Sequence, residues 1–142
     1  MRIRTWGILF LAGFAAVSGI FLVITERTFS PLRVVFLNVG QGDAILISQG
    51  KTQVLIDGGR DGKVLLGRLG RQMPFWDRQI ESVIATHPDA DHVGGLAAVI
   101  NRYHVSTYLS NGSEGEIEVF RNLRETLEAD HSVGQSVIGT ES

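Results

Sequence analysis

The chain contains no cysteine, so a disulfide cannot stabilise it, a disulfide-linked partner is not expected, and thiolate is excluded as a metal ligand. Any metal ligands must therefore come from histidine, aspartate and glutamate. Proline is also scarce, with 3 residues against 17 glycines among 142. Because 44% of the residues are hydrophobic, the composition is typical of a globular chain that carries an additional apolar segment. The length allows one modest domain.

A net positive charge is missing as well, since the formal charge is −2. Leaving out Arg2 and Arg4 makes it about −4, so the rest of the chain has no global basic field for gripping nucleic acid. A local basic cluster does occur, formed by Arg60, Lys63, Arg68, Arg71 and Arg78. It is interpreted as a solvated helix face or, alternatively, as a patch that receives a phosphate backbone.

The apolar excess lies near the N-terminus, where the run from Thr5 to Thr25 has no charged residue. As a helix this run would span roughly 30 Å, the thickness of a bilayer's hydrocarbon core. The preceding arginines place the N-terminus in the cytoplasm and the remainder outside. We expect an uncleaved single-pass anchor over residues 1–28, with the span at about 5–25, and a domain over 29–142 at the cell membrane. A cleaved secretion signal and a buried core helix are the alternatives.

The remaining chain alternates between strand-like and helix-like patterns. Strands are predicted at 33–39, 44–48 and 52–56, and their short connections favour an antiparallel meander. The next elements are a helix at 62–72, a strand at 82–86, a helix at 94–103, a strand at 105–109 and a helix at 116–129. The apolar centre of strand 82–86 suggests burial on both faces. The tail from 130 onward is either a last strand or loose. This order predicts an α/β fold with helices packed against a sheet.

Four potential metal ligands follow strand 82–86 within six positions: His87, Asp89, Asp91 and His92. Rigid elements on both sides of this turn allow several of these side chains to point at one focus. Imidazole and carboxylate together suit zinc, manganese or iron rather than calcium or magnesium alone. Taken singly, His87 could close a strand and Asp91 could cap a helix. The two aspartates would repel unless a cation or strong hydrogen-bond donors lay between them, and the turn is predicted to bind metal.

The stretch His-Pro-Asp-Ala-Asp-His-Val-Gly-Gly at 87–95 resembles the His-x-His-x-Asp-His signature of the metallo-β-lactamase superfamily. The aspartate in place of the second histidine resembles the branch of the competence protein ComEC. Two further stretches fit that branch, Phe-Leu-Asn-Val-Gly-Gln-Gly-Asp-Ala at 36–44 and Val-Leu-Ile-Asp-Gly-Gly at 54–59. The resemblance covers roughly residues 33–110. It implies the N-terminal half of an αββα sandwich, in which two divalent ions, zinc or manganese, activate a water for hydrolysis.

The resemblance also implies a role for each residue of the cluster. His87 and Asp89 would bind the first metal ion, and Asp91 and His92 would bind the second. Asp91 would in addition be the catalytic residue that orients the attacking water or accepts its proton.

Two further aspartates match positions that support the ligand loop in the superfamily. Asp57, at the end of a predicted strand, resembles the structural aspartate that orients this loop, and Asp43 is assigned a similar role. Stabilising a turn is the alternative for both. The ligands that superfamily members carry further downstream have no good match, because His104, Asp130 and His131 are poorly placed. The chain is therefore interpreted as the N-terminal part of a longer hydrolase.

These patterns lead to one principal hypothesis, a membrane-anchored, ComEC-like metal-dependent hydrolase that acts outside the cytoplasm on phosphodiesters such as DNA. The expected partners are accordingly a membrane and DNA. The alternatives are a non-catalytic anchored fragment that binds metal or a partner, an inert gene remnant, and the same fold acting on a lactone, thioester or amide.

Overall fold

The computed structural model describes residues 7, 10–20, 30–113, 115 and 117–138. The chain divides into two compact units, Met1–Leu32 and Arg33–Ser142. In the first unit, residues 10–20 form a helix whose large apolar side chains are exposed. Within the described part of the chain, no helix is long and apolar enough to cross a membrane. The rest of the predicted span, residues 5–6, 8–9 and 21–25, lies outside the described residues.

The second unit is built on one six-stranded sheet, whose strands follow the chain order. The strands are β1 (Arg33–Phe36), β2 (Ile45–Gln49), β3 (Thr52–Ile56), β4 (Gln79–Ala85), β5 (His104–Ser110) and β6 (Gly134–Val137). The helices are α1 (Gly62–Gln72), α2 (Ala90–Val93), α3 (Leu96–Arg102) and α4 (Glu118–Ala129). The first three strands pair antiparallel, and β3 to β6 pair parallel. The predicted mixed α/β fold and the antiparallel meander are confirmed.

The predicted boundaries agree best where a clear start or stop signal is present. Helix α1 has its predicted bounds because the Asp61 carboxylate accepts the backbone N–H groups of Lys63 and Val64 at its N-terminus. Strand β1 ends three residues earlier than predicted, and β4 begins three residues earlier, at Gln79. The predicted helix at 94–103 begins at Leu96, behind a separate short helix α2. In the tail, β6 forms the last strand.

The helices and one face of the sheet share a single hydrophobic core. Leu46, Leu55 and Val83 line this face and are almost fully buried. The helices contribute Leu65 and Leu69 from α1, Leu96, Val99 and Ile100 from α3, and Leu123 and Leu127 from α4. The amphipathic patterns of the helices therefore place their apolar sides on this one face.

The opposite face of the sheet is largely apolar and is not part of that core. The strand register aligns two rows across it: Val34, Ile47, Val54, Ser82 and Thr107 in one row, and Phe36, Ile45, Ile56, Ile84 and Leu109 in the other. Phe36 is 77% exposed and Val34 is 50% exposed. Since Ser82 and Ile84 are only half-buried, the predicted burial of β4 on both faces is not reached within the described residues.

Candidate metal site

The three stretches that carry the resemblance are joined by backbone hydrogen bonds at the carboxyl ends of β3 and β4. The N–H of Gly58 donates to the carbonyl oxygen of His92 at 2.6 Å. The N–H of Gly59 donates to the carbonyl oxygen of Asp43 at 2.8 Å, and that of Gly95 donates to Gly59 at 3.0 Å. Stretches that are far apart in sequence thus form one rigid support for the histidine turn.

Two of the glycines are required by close contacts between these loops. At Gly42, which has a φ of +81°, a Cβ atom would lie 1.6 Å from the backbone oxygen of Asp91. At Gly95, a Cβ atom would lie 2.3 Å from the carbonyl oxygen of Gly58. No other residue fits either position without moving the backbone of the neighbouring loop. The glycine motifs therefore act by allowing the loops to approach one another.

Asp57 connects these loops to the histidine turn through its carboxylate. It is 3% exposed and has a φ of 57°, a conformation that aspartate tolerates better than most residues. Its Oδ1 accepts the backbone N–H of Thr86 at 2.9 Å. Its Oδ2 accepts the Thr86 hydroxyl at 2.7 Å and lies 2.9 Å from Nδ1 of His92. One buried carboxylate thus holds both ends of the turn.

The hydrogen-bond network determines which ring nitrogen of each histidine carries the proton. The single hydroxyl proton of Thr86 is donated to the Asp57 carboxylate, because an ionised carboxylate can only accept. Nδ1 of His87 lies 2.8 Å from this hydroxyl oxygen and must therefore donate to it. Nδ1 of His92 must likewise donate to Asp57. Both imidazoles consequently keep the Nε2 lone pair free for a metal ion.

The two histidines and Asp57 form the group of described residues that could hold a metal ion. One ligand atom from each lies within 4.8 Å of the others, and the imidazole centroids are 3.8 Å apart. Oδ2 of Asp89 lies 3.5 Å from Nε2 of His87, but the Asp89 side chain is 71% exposed. Asp91 lies in the first turn of α2 and is not among the three grouped residues. The structure therefore brings His87 and His92 together, with Asp89 beside them.

Nitrogen and oxygen donors without thiolate suit a divalent ion such as zinc or manganese. Asp57 already accepts three hydrogen bonds from the turn, which matches an orienting role as closely as a ligand role. The carboxylate of Asp43 is exposed, and it is the backbone carbonyl of this residue that binds Gly59.

One alternative from the sequence is wrong. The residue that precedes helix α2 in the N-cap position is Asp89 and not Asp91, and its side chain makes no capping hydrogen bond. Helix α3 is preceded by Gly95. The carboxylate of Asp91 is therefore not used as a helix cap.

The poorly matched downstream candidates lie away from the cluster or are otherwise engaged. His104 is exposed and begins β5, where its backbone N–H donates to Arg78 at the opposite end of the parallel strands. Asp130 accepts the hydroxyl and the backbone N–H of Ser132, and these hydrogen bonds hold the pKa of its carboxyl below the usual value. His131 is exposed.

Sequence reasoning assigned no role to Thr86, although its hydroxyl and its N–H are the link between Asp57 and His87. The available signal was its position directly before the first histidine of the cluster. A side chain that is both donor and acceptor is needed there, because it must give one proton to a carboxylate and take one from an imidazole.

The charge of Asp57 is also felt by Tyr108 on β5. Burial, together with the negative charge of Asp57, raises the pKa of the Tyr108 hydroxyl to about 12. The phenol therefore stays neutral at the pH values where a metal site of this kind operates.

The fold and this cluster define a metal-binding α/β domain with its ligands at the carboxyl ends of central strands. The family model of the metallo-beta-lactamase superfamily matches residues 37–127, and the chain belongs to this superfamily. No curated protein matches the chain.

Several solved structures are similar to part of the chain. The "Rm3 metallo-beta-lactamase" is 22% identical with a TM-score of 0.49, over 56% of this chain and 30% of that one. Metallo-beta-lactamase SMB-1 bound to 2-mercaptoethanesulfonate is 26% identical with a TM-score of 0.46, over 54% of this chain and 29% of that one. A Cronobacter sakazakii metallo-beta-lactamase with a HARLDQ motif is 18% identical with a TM-score of 0.48, over 56% and 30%. The matched part spans less than a third of each of these proteins.

Proposed function

We propose that this chain forms the N-terminal half of a ComEC-like, metal-dependent hydrolase that acts on phosphodiesters such as DNA. Membership in the superfamily supports metal-dependent hydrolysis. The observation that carries the proposal is the network in which Asp57 and Thr86 orient His87 and His92 with both Nε2 atoms free. The finer assignment is supported by the aspartate at position 89, where the superfamily signature has its second histidine.

In this proposal His87 and Asp89 hold one divalent ion, and Asp91 and His92 hold the second. A bound divalent ion lowers the pKa of a water molecule and stabilises the charge that develops on a phosphoryl oxygen. Asp91 would orient the attacking water or accept its proton. Asp57 keeps the ligand turn in place, so that little rearrangement is needed when metal and substrate bind.

The open apolar face of the sheet supports the proposal that a second half completes the domain. Phe36 and Val34 are exposed there, and a large exposed apolar patch normally marks a surface that another element covers. We infer an αββα sandwich whose second layer packs on this face and brings the remaining ligands.

The N-terminal unit is proposed to be a single-pass membrane anchor with its N-terminus in the cytoplasm and the hydrolase domain outside. In the helix at residues 10–20, the large apolar side chains of Phe10, Leu11, Phe14 and Val17 are 66–80% exposed. A helix that exposes apolar side chains in this way is suited to lipid rather than to water.

The hydrolase proposal is tested with a version of the protein extended by the sequence that follows residue 142, assayed on single-stranded and duplex DNA. We expect cleavage that a chelator abolishes and that His87→Ala lowers by roughly 100-fold or more. The matched control is His104→Ala, which should keep full activity. If no nucleic acid is cleaved in a metal-dependent way, the phosphodiester assignment is wrong. Metal-dependent turnover of a lactone, thioester or amide would then reassign the substrate.

A non-catalytic metal-binding module is the second candidate. It is favoured by the size of the cluster, because only Asp57, His87 and His92 converge within the described part of the chain. Metal analysis of the 142-residue chain separates the possibilities. Tight, stoichiometric binding of two ions would argue against an inert remnant, whereas binding without any turnover by the extended version would support the module.

A further inference from the structure

Two exposed aromatic residues lie at the end of the sheet where β4 begins. Phe75 is 81% exposed and Trp76 is 73% exposed, in the loop between α1 and β4. Their rings contact each other edge to face, with centroids 4.8 Å apart and planes at 83°. The pair therefore forms a compact apolar protrusion, which costs free energy in water unless a partner covers it.

Arginines lie close to this protrusion, one of them along the chain and two of them at a cavity that Phe75 also lines. Arg71 lies in the last turn of α1, and Arg78 and Arg102 line one cavity of about 380 Å³ together with Phe75. All three arginines are exposed, and none forms an ion pair with a described residue. We call these three arginines together with Phe75 and Trp76 the aromatic edge.

The side chain of Asp77, the acidic residue that lines the same cavity, is hydrogen-bonded to residues of the sheet. Asp77 accepts the side-chain amide of Gln53 at 3.1 Å with Oδ2, and the backbone N–H of Gln79 at 3.1 Å with Oδ1. Both of its oxygens are thus engaged with the sheet, and its charge only partly offsets those of Arg78 and Arg102. The aromatic edge consequently combines exposed aromatic rings with a local excess of positive charge.

The aromatic edge also lies where the chain enters the domain. Strand β1 runs parallel to β3 and β4, so Arg33, its first residue, is at the end of the sheet where β4 begins. Nη2 of Arg33 donates to the side chain of Gln72, three residues before Phe75, at 3.2 Å. In the sequence only seven residues lie between Thr25, the end of the apolar run, and Arg33, and the eight steps along the chain reach at most about 28 Å.

We propose that the aromatic edge binds the surface of an anionic phospholipid bilayer, with Phe75 and Trp76 in the interfacial layer and the arginines on lipid phosphates. Tryptophan and phenylalanine flanked by arginine are the residues that interfacial binding favours. The seven residues of β4 separate this edge from the histidine turn by roughly 23 Å. The metal site then faces away from the bilayer and stays open to substrate.

A nucleic acid fits the aromatic edge less well. Binding of single strands depends on aromatic faces along which successive bases stack, whereas here the two ring planes stand at 83° to each other and one face of one ring is covered by the edge of the other. The remainder of the chain is net acidic, which gives no extended basic track for a polyanion to follow.

The chain's two tryptophans, Trp6 and Trp76, allow the edge and the anchor to be tested separately. The full chain is reconstituted into two kinds of vesicle, one made of neutral lipid alone and one that also contains anionic lipid. In both, the lipid acyl chains are labelled with bromine. The variant Trp6→Phe reports on Trp76, and Trp76→Phe reports on Trp6. We expect Trp76 to be quenched by brominated lipid and shielded from acrylamide in anionic vesicles, and much less so in neutral ones.

Arg78→Gln and Arg102→Gln should each weaken docking about fivefold, the factor that corresponds to one cation near an anionic surface. The matched controls are Arg121→Gln and Arg124→Gln on the exposed side of α4, which should leave the quenching of Trp76 unchanged. All four positions are exposed, so loss of folding is not expected, and far-UV circular dichroism checks this.

Quenching of Trp76 without quenching of Trp6 would support the docking edge and contradict the proposed anchor. Quenching of Trp6 with Trp76 fully open to acrylamide would overturn the docking proposal and leave the anchor intact. A shift in Trp76 emission caused by an oligonucleotide and not by vesicles would overturn it in favour of nucleic acid. Since no readout involves turnover, none of these results depends on hydrolase activity.

Discussion

The two ends of the parallel strands differ in how their side chains are held. At the carboxyl end, backbone hydrogen bonds and close glycine contacts fix the loops around His87 and His92. At the opposite end, Phe75 and Trp76 are exposed and their rings contact each other edge to face. The first arrangement suits a small ligand that requires fixed geometry. The second suits an extended, deformable partner, for which preorganisation matters less than apolar area and charge.

The largest effect is expected from breaking the loop contact at the metal end. Gly42→Ala would place a methyl group 1.6 Å from the Asp91 carbonyl oxygen, at a positive φ that alanine disfavours. We expect a loss of about 3 kcal/mol or more in the free energy of unfolding. Urea denaturation of the chain in detergent measures it. An unchanged stability would show that the glycine loops are not held as described.

A matched glycine-to-alanine change on the solvent side of α1 should increase the stability of the protein. Gly67 has no atom within 4 Å of an added Cβ and lies in the helix interior. Gly67→Ala should therefore stabilise the protein by about 0.5–1 kcal/mol, because alanine lowers the entropy of the unfolded chain. A destabilisation of this variant would contradict the exposed position of Gly67.

The next largest effect concerns the hydrogen bonds that orient the imidazoles. In Asp57→Asn, an amide nitrogen replaces one carboxylate oxygen. In the place of Oδ2 it opposes the protons of His92 Nδ1 and the Thr86 hydroxyl, and in the place of Oδ1 it opposes the backbone N–H of Thr86. Thr86→Val removes the acceptor for His87. Each change should weaken metal binding by about 10–100-fold, measured by calorimetric titration. Thr86→Ser is the control and should bind nearly normally, and equal affinity in all three variants would exclude the orienting role.

Alkaline pH should produce an effect of similar or slightly smaller size. The pKa of Tyr108 is raised to about 12 from the usual 10, so the folded state keeps the phenol protonated while the unfolded state ionises. The contribution of Tyr108 to the free energy of unfolding is complete below pH 10. It falls by roughly 2–3 kcal/mol as the pH rises towards 12. Stability measured from pH 9 to 12 should fall less in Tyr108→Phe. If stability fell equally with pH in the original protein and in Tyr108→Phe, the burial of the Tyr108 hydroxyl would be contradicted.

The smallest effect is expected on the open face of the sheet. Phe36 is 77% exposed, so Phe36→Ser should change the stability of the 142-residue chain by no more than about 0.5 kcal/mol. In the extended version, where a second layer would cover this face, the same change should cost about 3 kcal/mol or more. An equal, small cost in both would show that the face stays open.

Most of the framework was predictable because its signals are local. Helix α1 has a capping aspartate, and the meander follows from short turns between β-branched runs. The start of β4 was missed because Gln79 and Glu81 are polar, yet Gln79 pairs with His104 in the sheet. The break between α2 and α3 was missed because it depends on Gly95 packing against Gly58, a contact between distant parts of the sequence.

The residues of the candidate site were predictable, but the hydrogen bonds that connect them were not. The motif identified the histidines and aspartates, whereas the link through Thr86 depends on how two strand ends lie side by side. Asp57 was assigned to the support of the ligand loop from its motif, and its three hydrogen bonds to the turn are what such a role requires. The metal roles of Asp89 and Asp91 stay predictions.

The central claim is that His87 and His92 are set to bind a metal ion before the metal arrives. Cobalt(II) titration of the 142-residue chain, followed by visible absorption, tests it most directly. We predict that His87→Ala and His92→Ala each weaken cobalt binding by about tenfold or more, while His104→Ala and His131→Ala leave it intact. Equal cobalt binding by all four variants would contradict the claim.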